Sequence, residues 1–454
     1  MNNTIHIHFI GIGGISMSGL AEIMVTQGHK VTGSDIKTSD ITDHLESLGV
    51  TIAPHSKDNI TTDIDLVVIT AAINENNEEL KYAKELGKKI VTRAEFLGDL
   101  MATYEFPICI AGTHGKTTTT SMLANILLHT NNNPTITVGG IVDSIGGNIH
   151  IGDTKYFLTE ACEYHNSFLD FNPMVGVILN IEEDHMDFFK DLDDIKHSFT
   201  EFASLIPKQG LLVIEETALQ NTPAIKNIAA PIETFGLSKT ADWSAQNISF
   251  DANACPSFDV YYKNEFVFHI AIALAGTHNV LNTLSAIAVC RFLDIPVAEI
   301  SKDLIHFSGA KRRFEMRGKI HDILLIDDYA HHPSEIKATL NTVAKYPHKN
   351  LYVVFQPHTY SRTKTFLNGF VDALSTYGQI IVTDIYAARE TNPGDIHSRD
   401  LVKLLQNKGT NSIYIESFDE ISDYLLTTTE PGDIIMTMGA GNVNQIIDTL
   451  LGKS

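Results

Sequence analysis

The stretch from Ile108 to Thr120, ICIAGTHGKTTTT, constrains the fold of this chain more than any other. Four apolar residues, Ile108 to Ala111, run into Gly112, Gly115, Lys116 and Thr117, and Met122, Leu123, Ile126 and Leu127 follow at helical spacing. The pattern predicts a strand, a tight glycine turn and the start of a helix. Such a junction suits phosphate, because the first N–H groups of a helix point at an anion, a lysine can reach β/γ oxygens and a threonine hydroxyl can take Mg²⁺. The expected phosphate loop is Gly112, Thr113, His114, Gly115, Lys116, Thr117 and Thr118. Its spacing is unusual: Ile110 stands where a small residue is customary, and Gly112 lies only three positions before Gly115. The plainer alternative is a turn that happens to contain Gly-Lys. A Lys-Thr-Thr run that both follows a strand and opens a helix favours phosphate.

Composition sets the bounds. The 454 residues leave room for about three domains, and 43% hydrophobic with 19% charged residues is ordinary soluble material. The formal charge of -22, from 33 Lys and Arg against 55 Asp and Glu, argues against a nucleic-acid partner. No apolar run approaches the ~20 residues that span a bilayer, and the opening MNNTIHIHFIGIGG lacks a basic leader, so no membrane segment or export signal is expected. Cys109, Cys162, Cys255 and Cys290 lie far apart without a C-x-x-C pair. They offer no zinc framework and fit a reducing cytoplasm.

Strands alternating with helices predict three α/β parts with parallel sheets, at residues 1–106, 107–310 and 311–454. In the first, expected strands at Ile5 to Ile10, Lys30 to Ser34, Leu66 to Thr70 and Lys89 to Val91 surround the turn GIGGISMSG. Gly11, Gly13 and Gly14 resemble a dinucleotide fingerprint with Ser16 in the place of its third glycine, and Asp35 lies where an acid meets a ribose hydroxyl. A hydride-transferring enzyme is one reading; a seat for the diphosphate of a UDP-sugar is the other. In the second part a turn is expected from Asn131 to Pro134, a strand from Lys155 ends at Glu160, and a strand from Val175 to Leu179 runs into NIEEDHMD with His185. With Thr117, Glu160 and His185 make a plausible Mg²⁺ set. The span from Glu216 to about Val267 reads as loop-rich, with Trp243 as packing. A helix then opens with His278, Asn279 and Asn282, suited to a base or ribose edge or, equally, to helix capping. The third part begins with the basic cluster GAKRRFEMRGK, which alone reads as a solvated linker. Expected strands at His321 to Ile326, Leu351 to Phe355, Gln379 to Thr383 and Asp433 to Met438 then end in DDYAHHPSE, QPHTYSRTK, DIYAARE and MGAGN. Polar runs after successive strands mark a ligand-facing sheet edge.

Taken together, GIGGISMSG, AGTHGKTTTT, EACE, NIEEDHMD, AGTHNVLN, KRRFE, DDYAHHPSE and QPHTYSRT resemble the Mur ligases, in the same order and over essentially the whole chain. The resemblance implies a three-domain architecture: a Rossmann-like N-terminal domain for a UDP-sugar, a P-loop central domain for ATP, and an α/β C-terminal domain for the amino acid. It is nearest to the branch that joins L-alanine to the carboxylate of UDP-N-acetylmuramate through an acyl phosphate, with ATP and Mg²⁺. It further implies magnesium ligands at Thr117, Glu160 and His185, and catalytic roles for Lys116, Glu160 and His185. The nucleotide would meet the phosphate loop, His278, Asn279, Asn282, Arg313, Asp328 and His331. The UDP-sugar would meet Gly11, Gly13, Gly14, Ser16 and Asp35, and the amino acid Tyr329, His358 and Arg362. A monomer or homodimer is expected. Three positions depart from the family pattern: Cys162 stands for Asp, Tyr164 for a small residue, and Thr359 for a second arginine. Thr200 lies near the place where other branches carry a carbamoylated lysine, so no such modification is expected. The nearest rival is a recycling ligase that attaches a whole tripeptide. A polyglutamate ligase and a non-catalytic nucleotide-binding regulator are more distant.

Overall fold

The computed structural model describes residues 4–70, 73–130, 132–307, 309–388 and 390–452. Its first sheet holds β1 (His6–Ile10), β2 (Lys30–Ser34), β3 (Thr51–Ala53), β4 (Leu66–Ile69) and β5 (Lys89–Thr92), all parallel in the order β3-β2-β1-β4-β5. The order reverses beside β1, so the glycine turn that follows β1 sits at the crevice where such sheets take ligands.

The second sheet has ten strands: β6 (Phe106–Ala111), β7 (Thr135–Val142), β8 (Gly147–His150), β9 (Tyr156–Glu160), β10 (Val175–Ile178), β11 (Leu211–Glu215), β12 (Ile232–Gly236), β13 (Trp243–Phe250), β14 (Pro256–Tyr262) and β15 (Glu265–Ala271). Their order is β15-β14-β13-β12-β11-β10-β6-β9-β7-β8. β6 and β10 are wholly or almost wholly buried apolar runs, as a parallel sheet covered on both faces requires. One face packs on the Lys116–His129 and Thr277–Phe292 helices. The other shares a core with the first part through Phe9, Phe96, Phe168 and Phe199.

The third sheet contains β16 (Glu315–Ile320), β17 (Ile323–Asp328), β18 (Leu351–Phe355), β19 (Gln379–Val382), β20 (Ser412–Tyr414) and β21 (Ile434–Met438), ordered β16-β17-β21-β18-β19-β20. Only β16 runs antiparallel to its neighbour.

Two expectations need correction. The span read as loop-rich instead extends the central sheet by β12 to β15. The last two strands pair antiparallel through turn residues Lys263 and Asn264, both at positive φ; β14 alternates in burial and β15 at the sheet edge is largely exposed. Trp243 is buried there, its Nε1 donating to Glu233 at 2.7 Å, which is packing as expected. The basic cluster is no solvated linker either. It feeds β16, and His321 and Asp322, both at positive φ, form the turn into β17, so that strand starts two residues late. The expected turn at Asn131 and the run DIYAARE each include one position, Asn131 and Arg389, outside the described residues.

Candidate active site

The phosphate-loop candidate leaves the C-terminal end of β6, between β9 and β10. Gly115 is the N-cap of the following helix at φ +86°, and a Cβ there would stand 2.8 Å from Asn282 Oδ1, so only glycine fits. Asn180, just past β10, clasps the loop: its Oδ1 accepts the His114 N–H at 2.8 Å and its Nδ2 donates to His114 O at 3.0 Å. The sequence reading passed over Asn180, although an asparagine directly after a buried strand was the available signal.

Lys116 Nζ folds back over the loop, donating to the carbonyls of Gly112 and Thr113 and to both carboxylate oxygens of Glu163 at 3.0 and 3.2 Å. Burial works to neutralise this lysine, but Glu163 outweighs it and the ammonium is held above its usual range. Glu163 is thus the acid of EACE that meets the lysine, and it was not singled out in advance. Glu160 instead accepts the Gly139 N–H at 2.7 Å. Thr117 is buried and its Oγ1 lies 3.5 Å from Arg313 Nη2, a bridge from the third part to the loop. His185, at φ +53°, stacks on the Tyr164 ring at 4.4 Å and lies 3.9 Å from Glu163 and Asp184. Burial lowers its pKa against the pull of these acids, leaving a neutral imidazole with a lone pair to offer.

A cavity of about 870 Å³ opens between the central and third parts. From the expected nucleotide set it gathers His114, Gly115 and Thr118 on the loop side, then His278, Asn279 and Asn282 at the head of the next helix. Arg313 and Asp328 close it from the third part. Asp328 accepts the backbone N–H groups of Phe314 and Ala330, both at 2.7 Å, and burial raises its carboxyl to about 6 although Arg313 opposes this. Arg312, beside it, pairs with buried Asp327 at 3.1 Å and donates to the carbonyls of Gly439 and Gly441.

His331 does not line that cavity. It sits in a row of rings, 5.4 Å from Tyr329 and 5.6 Å from His358, which stacks in turn on Tyr386 at 5.7 Å. Burial pushes His331 down to about 3 and His358 to about 4, so both rings are neutral at pH 7. Arg362 joins this row through Nη1, 3.2 Å from His358, and donates Nη2 to Asp184 at 2.8 Å. Burial disfavours the Asp184 charge, yet His185 and Arg362 keep its carboxyl below the usual range. The expected amino-acid residues Tyr329, His358 and Arg362 therefore lie together, with His331 and Tyr386 added, and the Arg362–Asp184 pair joins them to the loop carrying His185.

The first part contributes a separate turn. Gly11 follows β1 at φ +84°, and Gly13 N–H donates to Asp35 Oδ2 at 2.8 Å. Asp35 also accepts the Ile36 N–H at 2.7 Å, so much of its hydrogen-bonding capacity holds its own turn. Gly14 caps the Ile15–Thr26 helix, and Ser16 accepts from Arg93 Nη1 at 3.1 Å. Arg93, just after β5, was missed. Burial lowers the pKa of its guanidinium. Lys196, four residues before Thr200, pairs with Asp193 at 3.3 Å.

Three family models match in tandem. "Mur ligase family, catalytic domain" covers residues 6–105, "Mur ligase middle domain" covers 110–290, and "Mur ligase, glutamate ligase domain" covers 312–441. The UDP-N-acetylmuramate--L-alanine ligase of Agathobacter rectalis is 50% identical over 99% of this chain and 98% of its own length. That of Caldanaerobacter subterraneus subsp. tengcongensis is 46% identical over 99% and 97%. Among solved structures, the UDP-N-acetylmuramate-alanine ligase of Thermotoga maritima superposes with a TM-score of 0.82 at 28% identity, covering 99% of both chains. A murein peptide ligase from Psychrobacter arcticus gives 0.70 at 27% identity, over 99% and 98%. Among the described residues no helix is long and apolar enough to cross a membrane.

Proposed function

The chain belongs to the Mur ligase family, and from that premise we propose that it joins L-alanine to the carboxylate of UDP-N-acetylmuramate at the expense of ATP, in peptidoglycan precursor synthesis. The observation that carries the reading is the meeting, at one end of the central sheet, of Lys116 with Glu163, of neutral His185, and of a row of neutral rings ending in Arg362. In the proposed reaction the sugar carboxylate attacks the terminal phosphorus of ATP, ADP leaves, and the alanine amine displaces phosphate from the acyl phosphate to form the amide. The cavity beside the phosphate loop is the proposed ATP seat, and the turn after β1 with Ser16 and Arg93 the proposed UDP-sugar seat. Domains at 1–106, 107–310 and 311–454 are proposed to divide these tasks.

Each residue then has a physical task. Lys116 neutralises charge that builds on phosphoryl oxygen, a stabilisation that is stronger away from water. Arg313, reaching Thr117 from the third part, ties closure of the two parts to the phosphate end of the nucleotide. Arg362 offers a planar fork suited to an α-carboxylate, for which Asp184 now holds the place. His331 and His358, held neutral, add no positive charge of their own beside the amine of alanine.

The donors present suit Mg²⁺. Gly139 and Gly140 leave a shelf that Cβ atoms would fill, at 3.1 Å from Glu160 Oε2 and 3.4 Å from Thr117 Cγ2. Thr117, Glu160 and His185 would hold the ion, which when bound draws charge from phosphoryl oxygens. The test is initial-rate phosphate release with UDP-N-acetylmuramate, ATP and Mg²⁺ against alanine, serine, glycine and the L-alanyl-γ-D-glutamyl-meso-diaminopimelate tripeptide. Alanine is expected to support the highest kcat/KM. Preference for the tripeptide would move the chain to the recycling branch, and absence of ADP would remove ligase activity.

A further inference from the structure

At the wall of the nucleotide cavity, which His114, Glu182 and Ser334 themselves line, and apart from the proposed magnesium residues, three ligand-type side chains converge from two parts of the chain. One donor atom from each of His114, Glu182 and His332 lies within 4.8 Å of the others. His114 comes from the loop after β6, Glu182 from the loop after β10, and His332 caps the Pro333–Val343 helix of the third part. Ser334 Oγ joins them, 2.8 Å from both His114 Nε2 and His332 Nδ1. His114 Nε2 lies 3.5 Å from Glu182 Oε2.

The ring nitrogens nearest Ser334 Oγ are His114 Nε2 and His332 Nδ1. His114 Nδ1 meets Glu335 Oε1 at 3.1 Å, so a carboxylate fixes the far nitrogen and leaves Nε2, whose proton an ion would displace, facing the cluster. His332 Nδ1 lies on the cluster side, 2.8 Å from Ser334 Oγ, where it now accepts the Ser334 N–H at 3.4 Å, a hydrogen bond that an ion would replace. His332 is only 6% exposed, and its Nε2 has no hydrogen-bond partner among the described residues. Two imidazoles and one carboxylate are the donor set of a borderline metal such as Zn²⁺, whereas Mg²⁺ prefers oxygen throughout.

We propose that His114, Glu182 and His332, with Ser334 as a fourth donor, form a site for a zinc-class divalent ion that staples the central part to the third part beside the nucleotide cavity. Glu335 is a positioning residue that orients His114. An ion here fixes the separation of the two parts and holds the loop residue next to Gly115, so it opposes any domain movement that nucleotide entry requires.

The test uses the full chain without nucleotide and needs no turnover, so its outcome is independent of the ligase reading. Calorimetric titration with Zn²⁺ is expected to reveal one tight site. Glu182→Gln is expected to weaken it by more than about 100-fold, since losing even an outer-shell partner costs 10- to 100-fold; Glu335→Gln should fall within that smaller range. His332→Ala should abolish the site, and because that variant also loses a helix cap, the half-exposed Glu182 carries the test if it fails to fold. Co²⁺ in place of Zn²⁺ should give the intense visible absorption of a four-coordinate ion, lost in Glu182→Gln. Exposed His197→Ala should change nothing. Equal Zn²⁺ affinity in the parent and Glu182→Gln, or a weak six-coordinate Co²⁺ spectrum, would overturn the site.

Discussion

After β1 the chain turns through Gly11 to Gly14 into a helix, and after β6 it does so again through Gly112 to Gly115. Both turns leave a central strand of a parallel sheet and aim the start of a helix at a crevice. Around the first, the nearest acid, Asp35, serves the turn's own N–H groups. Around the second stand a lysine, several acids and three histidines, delivered by β9, β10 and the third part. Backbone amides alone suit a substrate that must only be held. Moving a phosphoryl group needs opposed charges kept from water, and those come from neighbouring strands and from another domain.

The largest effect that separates the turns is expected at Lys116. Lys116→Ala should lower kcat for phosphate release by about 1000-fold or more, in line with loss of a principal electrostatic donor. The change strands Glu163, which is 3% exposed, so a melting curve on Lys116→Ala with Glu163→Gln distinguishes lost chemistry from lost fold. Turnover equal to the parent would dissolve the contrast. Next, Arg362→Ala should raise KM for alanine by about 100-fold while KM for ATP moves little. It also leaves Asp184, 9% exposed, without its partner, at a stability cost of about 3–5 kcal/mol. Equal shifts in both constants would take Arg362 out of the amino-acid site.

Gly13→Ala probes the holding turn. A Cβ there would lie 2.9 Å from Asp35 Oδ2, and KM for the UDP-sugar should rise by about tenfold with the ATP constant unchanged. A loss confined to kcat would mean that this turn also takes part in transfer. The smallest effect is on pH dependence at the second turn. Burial alone would lower His114, but Glu335 and Glu182 raise it to about 9. Its contribution to stability is therefore full below the unfolded value near 6.5 and is lost as pH rises through about 9. The melting temperature of the parent should fall by a few degrees across that window more than that of His114→Gln; parallel curves would show that the ring carries no such charge.

The sheets were legible where strands are continuous apolar runs, as at Ile108 to Ala111 and Val175 to Ile178. They were illegible toward the sheet edge, where only β14 alternates and the end of β13 and most of β15 are exposed, so the stretch looks like polar loops. Within the candidate site, residues fixed by local spacing could be named from the sequence, among them Gly115, Lys116 and His185. Glu163, Asn180, Asp184, Glu335 and Arg93 were not, because each acquires its partner from a strand or domain remote in sequence. Arg313 was expected at the phosphates on resemblance alone; its reach to Thr117 depends on how the third part closes, which periodicity does not encode.

The most direct measurement follows one oxygen atom. With UDP-N-acetylmuramate labelled by ¹⁸O in both carboxylate oxygens, turnover with ATP and alanine should release phosphate carrying one ¹⁸O, because the attacking oxygen leaves with phosphorus when the amine captures the acyl group. Unlabelled phosphate formed alongside the alanyl amide would contradict activation of the sugar carboxylate at the Lys116 loop.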